Sequence, residues 1–321
     1  MEDFLRAQIP LILAFQTLAD LSGVMKFLST LGSEDLFLIL LPLVYLCIDS
    51  THGLRLALIV LMGDAINNIL KLAFHLPRPY WLDSRVQTLS PESTYGLPSG
   101  HAQNATSLWF FLASRFNQAW GWVAAALIVL LISLSRLYLG VHFPADVIAG
   151  WLVGGLFLFA FLKIEPHAKG WISKLRVWEQ IGVVLIGTLT IILVGVVVQT
   201  LVAGAPDSDS WAAFATGARS LSGLASDAGA LFGVGVGAVM SNRWARFNAG
   251  GPLPKRVARL VIGLIAVGSV YFGLRSLFPS EPAVLGLTLR FIRYALATWV
   301  AIFVVPWFLL KVKLAEPLYR G

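Results

Sequence analysis

Nine stretches of this sequence, near residues 35–50, 54–75, 102–116, 120–138, 145–163, 179–203, 226–242, 257–278 and 286–310, are apolar over most of their length. A helix crossing a bilayer needs about 20 mostly apolar residues. Backbone inside hydrocarbon must also satisfy its own hydrogen bonds, which helices do within one segment. The expectation is an all-α, polytopic transmembrane helical bundle of about nine spans. Only 13% of residues are charged and 57% are hydrophobic, against roughly 25% charged in soluble domains. The 226–242 stretch is the poorest helix former, with Gly229, Gly233, Gly235 and Gly237, although small residues also let membrane helices pack closely. The single cysteine, Cys47, excludes an internal disulfide and a cysteine-rich metal site.

Charge orients the bundle. The connection after the fifth span carries Lys163, Lys169, Lys174 and Arg176 against Glu165; the one after the seventh carries Arg243, Arg246, Lys255, Arg256 and Arg259. Lys311, Lys313 and Arg320 follow the last span. Nine spans put these three groups on one side, which the positive-inside rule makes cytoplasmic. The net charge of +7 is then read as topology rather than nucleic-acid binding. Arg275, Arg290 and Arg293 run against the pattern, near the outer ends of the last two spans. The N-terminus is expected outside and the C-terminus inside, in a multi-pass protein of the cell (inner) membrane. Residues 4–29 are amphipathic and broken by Pro10, which suggests an interfacial helix. The expected division is an interfacial segment over 1–34, a membrane core over 35–203 and a transmembrane extension over 204–321.

Three polar motifs then fall on the non-cytoplasmic face. The first runs from Lys71 to Arg78-Pro79. Seven residues make about two helical turns, so both cations are expected on one face, able to hold a phosphate as a point charge and a planar fork. Alone, either could merely snorkel. Asp64, Asn67 and Asn68 lie just before, at a depth where polar groups are costly enough to suggest function. The second motif, Tyr95-Gly96-Leu97-Pro98-Ser99-Gly100-His101, puts amide donors at a helix start, where phosphate binds. Ser99 adds a hydroxyl, Gly100 allows close approach and His101 stands beside the anion. Its bland alternative is a turn followed by an interfacial histidine. Asn104, a turn further on, could orient that ring or only pack. The third motif gives Arg136, His142 and Asp146, with Pro144 opening a helix. Asp146 can cap that helix or orient the imidazole. The set lacks the carboxylate clusters that magnesium would need, so metal-independent chemistry without a cofactor is expected.

At these residues the chain resembles the phosphatidic acid phosphatase type 2 superfamily, which includes bacterial acid phosphatases and vanadium haloperoxidases. The matching elements are Lys71 through Arg78-Pro79, Pro98-Ser99-Gly100-His101, and Ser135-Arg136 through His142 to Asp146. No position departs from the family pattern, and the match covers about residues 54–163. The resemblance implies a six-helix-type phosphatase core followed by further helices. It implies that His142 attacks phosphorus to give a phosphohistidine, that Asp146 orients it, and that His101 is the general acid and then the base. Lys71, Arg78, Ser99, Gly100 and Arg136 would cradle the phosphoryl oxygens.

The expected substrate is a lipid phosphate, whether phosphatidic acid, a sphingoid phosphate or an isoprenoid phosphate or diphosphate, met on the periplasmic, extracellular or lumenal side. Membrane lipids are the expected partners, nucleic acid is not, and homo-oligomerisation stays open. The alternatives are a phosphatase of a soluble ester such as a sugar phosphate, and a non-catalytic lipid carrier on the same fold.

Overall fold

A computed structural model describes residues 1–17, 20–116, 118–279 and 283–318; Arg320 lies outside the described residues. The fold is helical, with one two-stranded pairing of Phe247–Asn248 and Glu316–Pro317 among the described residues. The helices are α1 (Glu2–Arg6), α2 (Ile9–Gln16), α3 (Ser22–Thr30), α4 (Glu34–Cys47), α5 (Ser50–Phe74), α6 (Pro79–Leu82), α7 (Gly100–Phe116) and α8 (Ala119–Tyr138). There follow α9 (Pro144–Ile172), α10 (Val177–Val202), α11 (Ser222–Trp244), α12 (Leu253–Leu277), α13 (Ala283–Trp299) and α14 (Val305–Lys311), the last two joined by a π-helical turn at Val300–Val304.

Among the described residues, seven stretches are long and apolar enough to cross a membrane: Ser50–Leu82, Ala119–Tyr138, Pro144–Ile172, Val177–Val202, Ser222–Trp244, Leu253–Leu277 and Ala283–Lys311. The bundle is thus polytopic, as expected, but two of the nine anticipated spans fall short. Helix α4 has 14 residues. Helix α7 has 17, about 25 Å of rise, and buries Gln103, Asn104, Thr106 and Ser107 among its apolar residues.

The residues group into two compact units. One comprises Met1–Leu36, Ile66–Lys163 and Gly195–Ser220; the other comprises Phe37–Ala65, Ile164–Val194 and Leu221–Gly321. The first unit contains every candidate site residue. Its N-terminal segment is three short helices rather than one, with Pro10 in the first turn of α2. Leu5, Ile9 and Ile12 are buried with Trp81, Tyr95, Phe143 and Trp211. Gln8 Oε1 accepts from the Ala145 amide at 3.0 Å, and Gln16 donates to the carbonyls of Gln87 and Tyr138 at 2.7 and 2.9 Å. These contacts make α1 and α2 part of the packed unit.

Helices α7 and α9 meet backbone to backbone. A Cβ at Gly150 would come within 2.7 Å of the Ser99 carbonyl, and one at Gly154 would collide with the Gln103 carbonyl. Ser107 Oγ donates across the seam to the Gly154 carbonyl at 3.1 Å. Gly-x-x-x-Gly spacing supplies such close approach in membranes.

In the second unit the same device recurs. Gly229 and Gly233 of α11 lie against the carbonyls of Phe291 and Ala295 on α13, leaving no room for a Cβ. The glycine-rich stretch is therefore a continuous helix of 23 residues. Buried Arg259 donates to the carbonyls of Asn248, Ala249 and Gly250 at 2.9, 2.9 and 2.6 Å, a structural use of one of the loop cations.

Candidate active site

The first motif departs from its expected local structure. Helix α5 stops at Phe74, His75 takes a left-handed backbone with φ +38°, and Arg78 is the extended N-cap of α6. Pro77 disfavours helix at the preceding residue and Pro79 at Arg78 itself. Lys71 and Arg78 therefore do not share a helical face, yet both reach one hydroxyl. Lys71 Nζ and Arg78 Nη2 each donate to Thr94 Oγ1 at 2.9 Å. Arg78 is fully buried and donates further to the carbonyls of Thr94, Tyr95 and Val141 at 2.6, 3.0 and 2.9 Å.

The second motif is held from α5 and α9. Asn67 Nδ2 donates to the Pro98 carbonyl at 3.2 Å and to Gln103 Oε1 at 2.9 Å. The Ser99 amide donates to the Asp146 carbonyl at 3.0 Å, so this amide ties the second motif to the third. Ser99 Oγ lies 3.5 Å from the Ala102 amide at the start of α7. A Cβ on Gly100 would approach Asn67 Oδ1 to 3.1 Å. His101 lies in the first turn of α7, and burial first, then the charge of Arg136, push its pKa down to about 3, with Glu92 acting the other way.

In the third motif, α8 ends at Tyr138 and Gly140 turns the chain with φ +72°, where a Cβ would strike the Gln87 carbonyl. Only glycine takes that conformation freely. His142 follows, fully buried, and Pro144 opens α9 as expected. Asp146 performs both anticipated tasks through one oxygen. Its Oδ2 accepts from the Phe143 amide at 2.9 Å, closing the helix start, and lies 3.2 Å from His142 Nδ1. Arg78 Nη1 lies 3.3 Å from His142 Nε2. An arginine can only donate, so these partners assign Nδ1–H to Asp146 and leave Nε2 with its lone pair. Burial, and then the charge of Arg78, hold His142 well below its ordinary pKa, so the imidazole is neutral.

Three participants had no sequence signal. Glu92, in the connection between α6 and α7, pairs with Arg78 Nη2 at 2.6 Å through Oε2 and with Arg136 Nη2 through Oε1. Burial alone would raise this carboxyl, but Arg78 and Arg136 outweigh it and hold the group well below the usual carboxylate range. Tyr80 Oη fixes the backbone of the same residue, donating to the Glu92 carbonyl at 2.8 Å. Thr94 is the second such residue. Ser29 of α3 is the third, accepting from Arg136 Nη1 at 2.5 Å.

Residues 205–219, from the connection between α10 and α11, pack against Trp81 and Tyr95 beside the second motif. Trp81 stacks on Trp211 and Phe214 with centroids 5.9 and 6.4 Å apart. Tyr95 Oη donates to Asp207 at 3.0 Å, and Arg219 pairs with the same carboxylate at 3.0 Å.

A buried arginine pair sharing one carboxylate, beside an oriented neutral histidine, has the form of an oxyanion site with a nucleophile. The PAP2 superfamily pattern matches residues 52–169, and the pattern described as PAP2 superfamily phosphatase, transmembrane extension, matches residues 225–317. An undecaprenyl-diphosphatase of Sulfolobus acidocaldarius is 30% identical over 170 residues, which cover 51% of this chain and 80% of that protein. The chain belongs to the PAP2 superfamily. As a PAP2 member it is a multi-pass integral membrane protein and a phosphate-ester hydrolase. A probable sphingosine-1-phosphate phosphatase of Dictyostelium discoideum is 30% identical over 46% of this chain and 39% of its own length. The glucose-6-phosphatase catalytic subunit 1 of Haplochromis nubilus is 29% identical over 32% of this chain and 38% of its own length. The chain spans about two fifths of the length of these last two relatives.

Proposed function

We propose that this PAP2 enzyme hydrolyses a lipid phosphate or diphosphate at the non-cytoplasmic membrane face through a phosphohistidine. The observation that carries the reading is the Glu92 carboxylate, held between Arg78 and Arg136. An anion is bound there by two buried guanidiniums, one of which also touches His142 Nε2. A phosphoryl group in that position would put phosphorus within reach of the Nε2 lone pair and its oxygens on both guanidinium forks.

In the first step His142 Nε2 forms a bond to phosphorus while the ester P–O bond breaks, and His101, protonated when the charge of the entering phosphate offsets the burial and cations that hold its pKa down, gives its proton to the departing oxygen. Asp146 accepts from Nδ1–H and steadies the charge that develops on the imidazole. In the second step His101 takes a proton from water, the oxygen of that water bonds to phosphorus, and the P–N bond breaks to release inorganic phosphate. Lys71, Arg78, Ser99, Gly100 and Arg136 stabilise the equatorial oxygens, which is most of what phosphoryl transfer requires.

A lipid is favoured because the site is built at the ends of apolar helices, where a headgroup can enter while its tail stays in hydrocarbon, and because the undecaprenyl-diphosphatase relative is matched over most of its length. A soluble sugar phosphate is the second reading, favoured by the glucose-6-phosphatase relative. Purified enzyme given short-chain isoprenoid diphosphate, phosphatidic acid and glucose 6-phosphate is expected to show the higher kcat/KM on the lipids. An equal or reversed preference would remove the lipid reading. Within the mechanism, His101→Ala is expected to slow poor leaving groups by about 10²–10⁴-fold and p-nitrophenol-like leaving groups much less. Equal slowing of both would contradict its acid role.

A further inference from the structure

The three arginines that run against the charge pattern meet in the second unit. Arg275 on α12 and Arg290 and Arg293 on α13 line a cavity of about 360 Å³ together with Tyr271 and Phe278. The C-terminal end of α12 and the N-terminal parts of α11 and α13 come together here, since Arg290 Nε donates to Ser226 Oγ of α11 at 2.6 Å. Arg293 lies over the rings of Tyr271 and Tyr294 at 5.1 and 5.4 Å, and Arg290 lies over Tyr294 at 5.8 Å.

Three guanidiniums cannot discharge one another by losing protons. The tyrosine faces attract the cations but accept few of their about fifteen N–H donors. Among the described residues the bond to Ser226 is the one hydrogen bond these arginines make, and none is in an ion pair with a carboxylate. Arg293 Nε is buried without a partner. Glu281 lies outside the described residues. The positive-inside expectation also makes basic residues at this end of the helices unfavourable unless an anion meets them there.

We propose that this cavity binds a phosphate group, at a site built from none of the three catalytic motifs. A tetrahedral anion offers several acceptor oxygens to converging forks, and the volume falls within the range of small-molecule pockets. At the depth of a helix end, the phosphate can come from an anionic lipid headgroup or from solution. One site chemistry serves both sources.

The test uses the full-length protein in phosphatidylcholine nanodiscs with and without phosphatidylglycerol. Retained phosphatidylglycerol is counted by native mass spectrometry, and inorganic phosphate is titrated by calorimetry. In an Arg136→Gln background, which removes phosphate binding at the active site, Arg290→Gln/Arg293→Gln is expected to lower the remaining binding by at least about tenfold and Arg275→Gln by about threefold. Loss of retained phosphatidylglycerol that inorganic phosphate does not displace supports a headgroup site. Loss of inorganic phosphate binding without lipid selectivity supports a free-phosphate site. If the folded Arg290→Gln/Arg293→Gln protein retains phosphatidylglycerol and inorganic phosphate as its Arg136→Gln parent does, the proposal is overturned. If that variant does not fold, unchanged binding by Arg275→Gln overturns it.

Discussion

His142→Ala is expected to reduce turnover by about 10⁴-fold or more, the scale of removing a nucleophile that acts within a coupled catalytic group. The geometry gives the reason. Nδ1 faces Asp146 at 3.2 Å and Nε2 faces the guanidinium that also holds Glu92. No other imidazole is placed with one nitrogen oriented by a carboxylate and the other at the arginine pair among the described residues. Rapid quench with ³²P-labelled substrate should trap an acid-labile phosphoenzyme in the wild type and none in the variant. Vanadate should inhibit the wild type as a phosphate mimic. Burst release of the alcohol by a folded His142→Ala protein would put the covalent intermediate on another residue, and turnover by that variant at the wild-type rate without a burst would leave direct attack by water.

Glu92→Gln should move binding and stability in opposite directions. In the wild type an incoming phosphate must displace a carboxylate from Arg78 and Arg136 before it can use them. Removing that charge is expected to lower KM and the inhibition constants for phosphate and vanadate by about tenfold, the equivalent of ~1.4 kcal/mol. Without the anion, the same arginines are left as buried cations with a weaker acceptor, and the unliganded protein should lose about 2 kcal/mol. Vanadate should therefore raise the melting temperature of the variant more than that of the wild type. A KM that rises would show instead that Glu92 holds the arginines in their binding geometry. The acid dependence has a definite sign. The folded-state carboxyl is held below its unfolded value, so its contribution is complete above an unfolded pKa of about 4.3 and is lost as pH falls toward the folded value. The melting difference between wild type and variant should be constant from neutrality to about pH 5 and shrink below it.

The residues proposed to carry the chemistry are legible because each motif is short and sits at a helix end. Pro144 sets the start of α9 and thereby brings Asp146 back to His142. The first motif was readable in composition but not in conformation. Helical turns do not run on from Lys71 to Arg78, because Pro77 and Pro79 mark the break that His75 makes. The Gly150 and Gly154 pattern could also have been read from spacing alone. Glu92, Thr94 and Ser29 could not. They are ordinary loop or helix residues whose partners lie up to 107 positions away, and nothing local to them distinguishes an anion holder from a solvated side chain. The packing of the N-terminal segment is illegible for the same reason, since Gln8 and Gln16 find their acceptors and donors only after the chain has folded back on itself.

The glycine seam between α7 and α9 fixes a working distance. Helix α7 begins with the proposed proton donor, and the turn into α9 carries the proposed nucleophile, so the spacing between the two reactive imidazoles is gauged by main chain resting on main chain. Side-chain contacts can shift among rotamers, whereas a contact of this kind has almost no slack. One added methyl at Gly154 would act as a shim between donor and nucleophile, detuning the reaction while every motif residue remained in place.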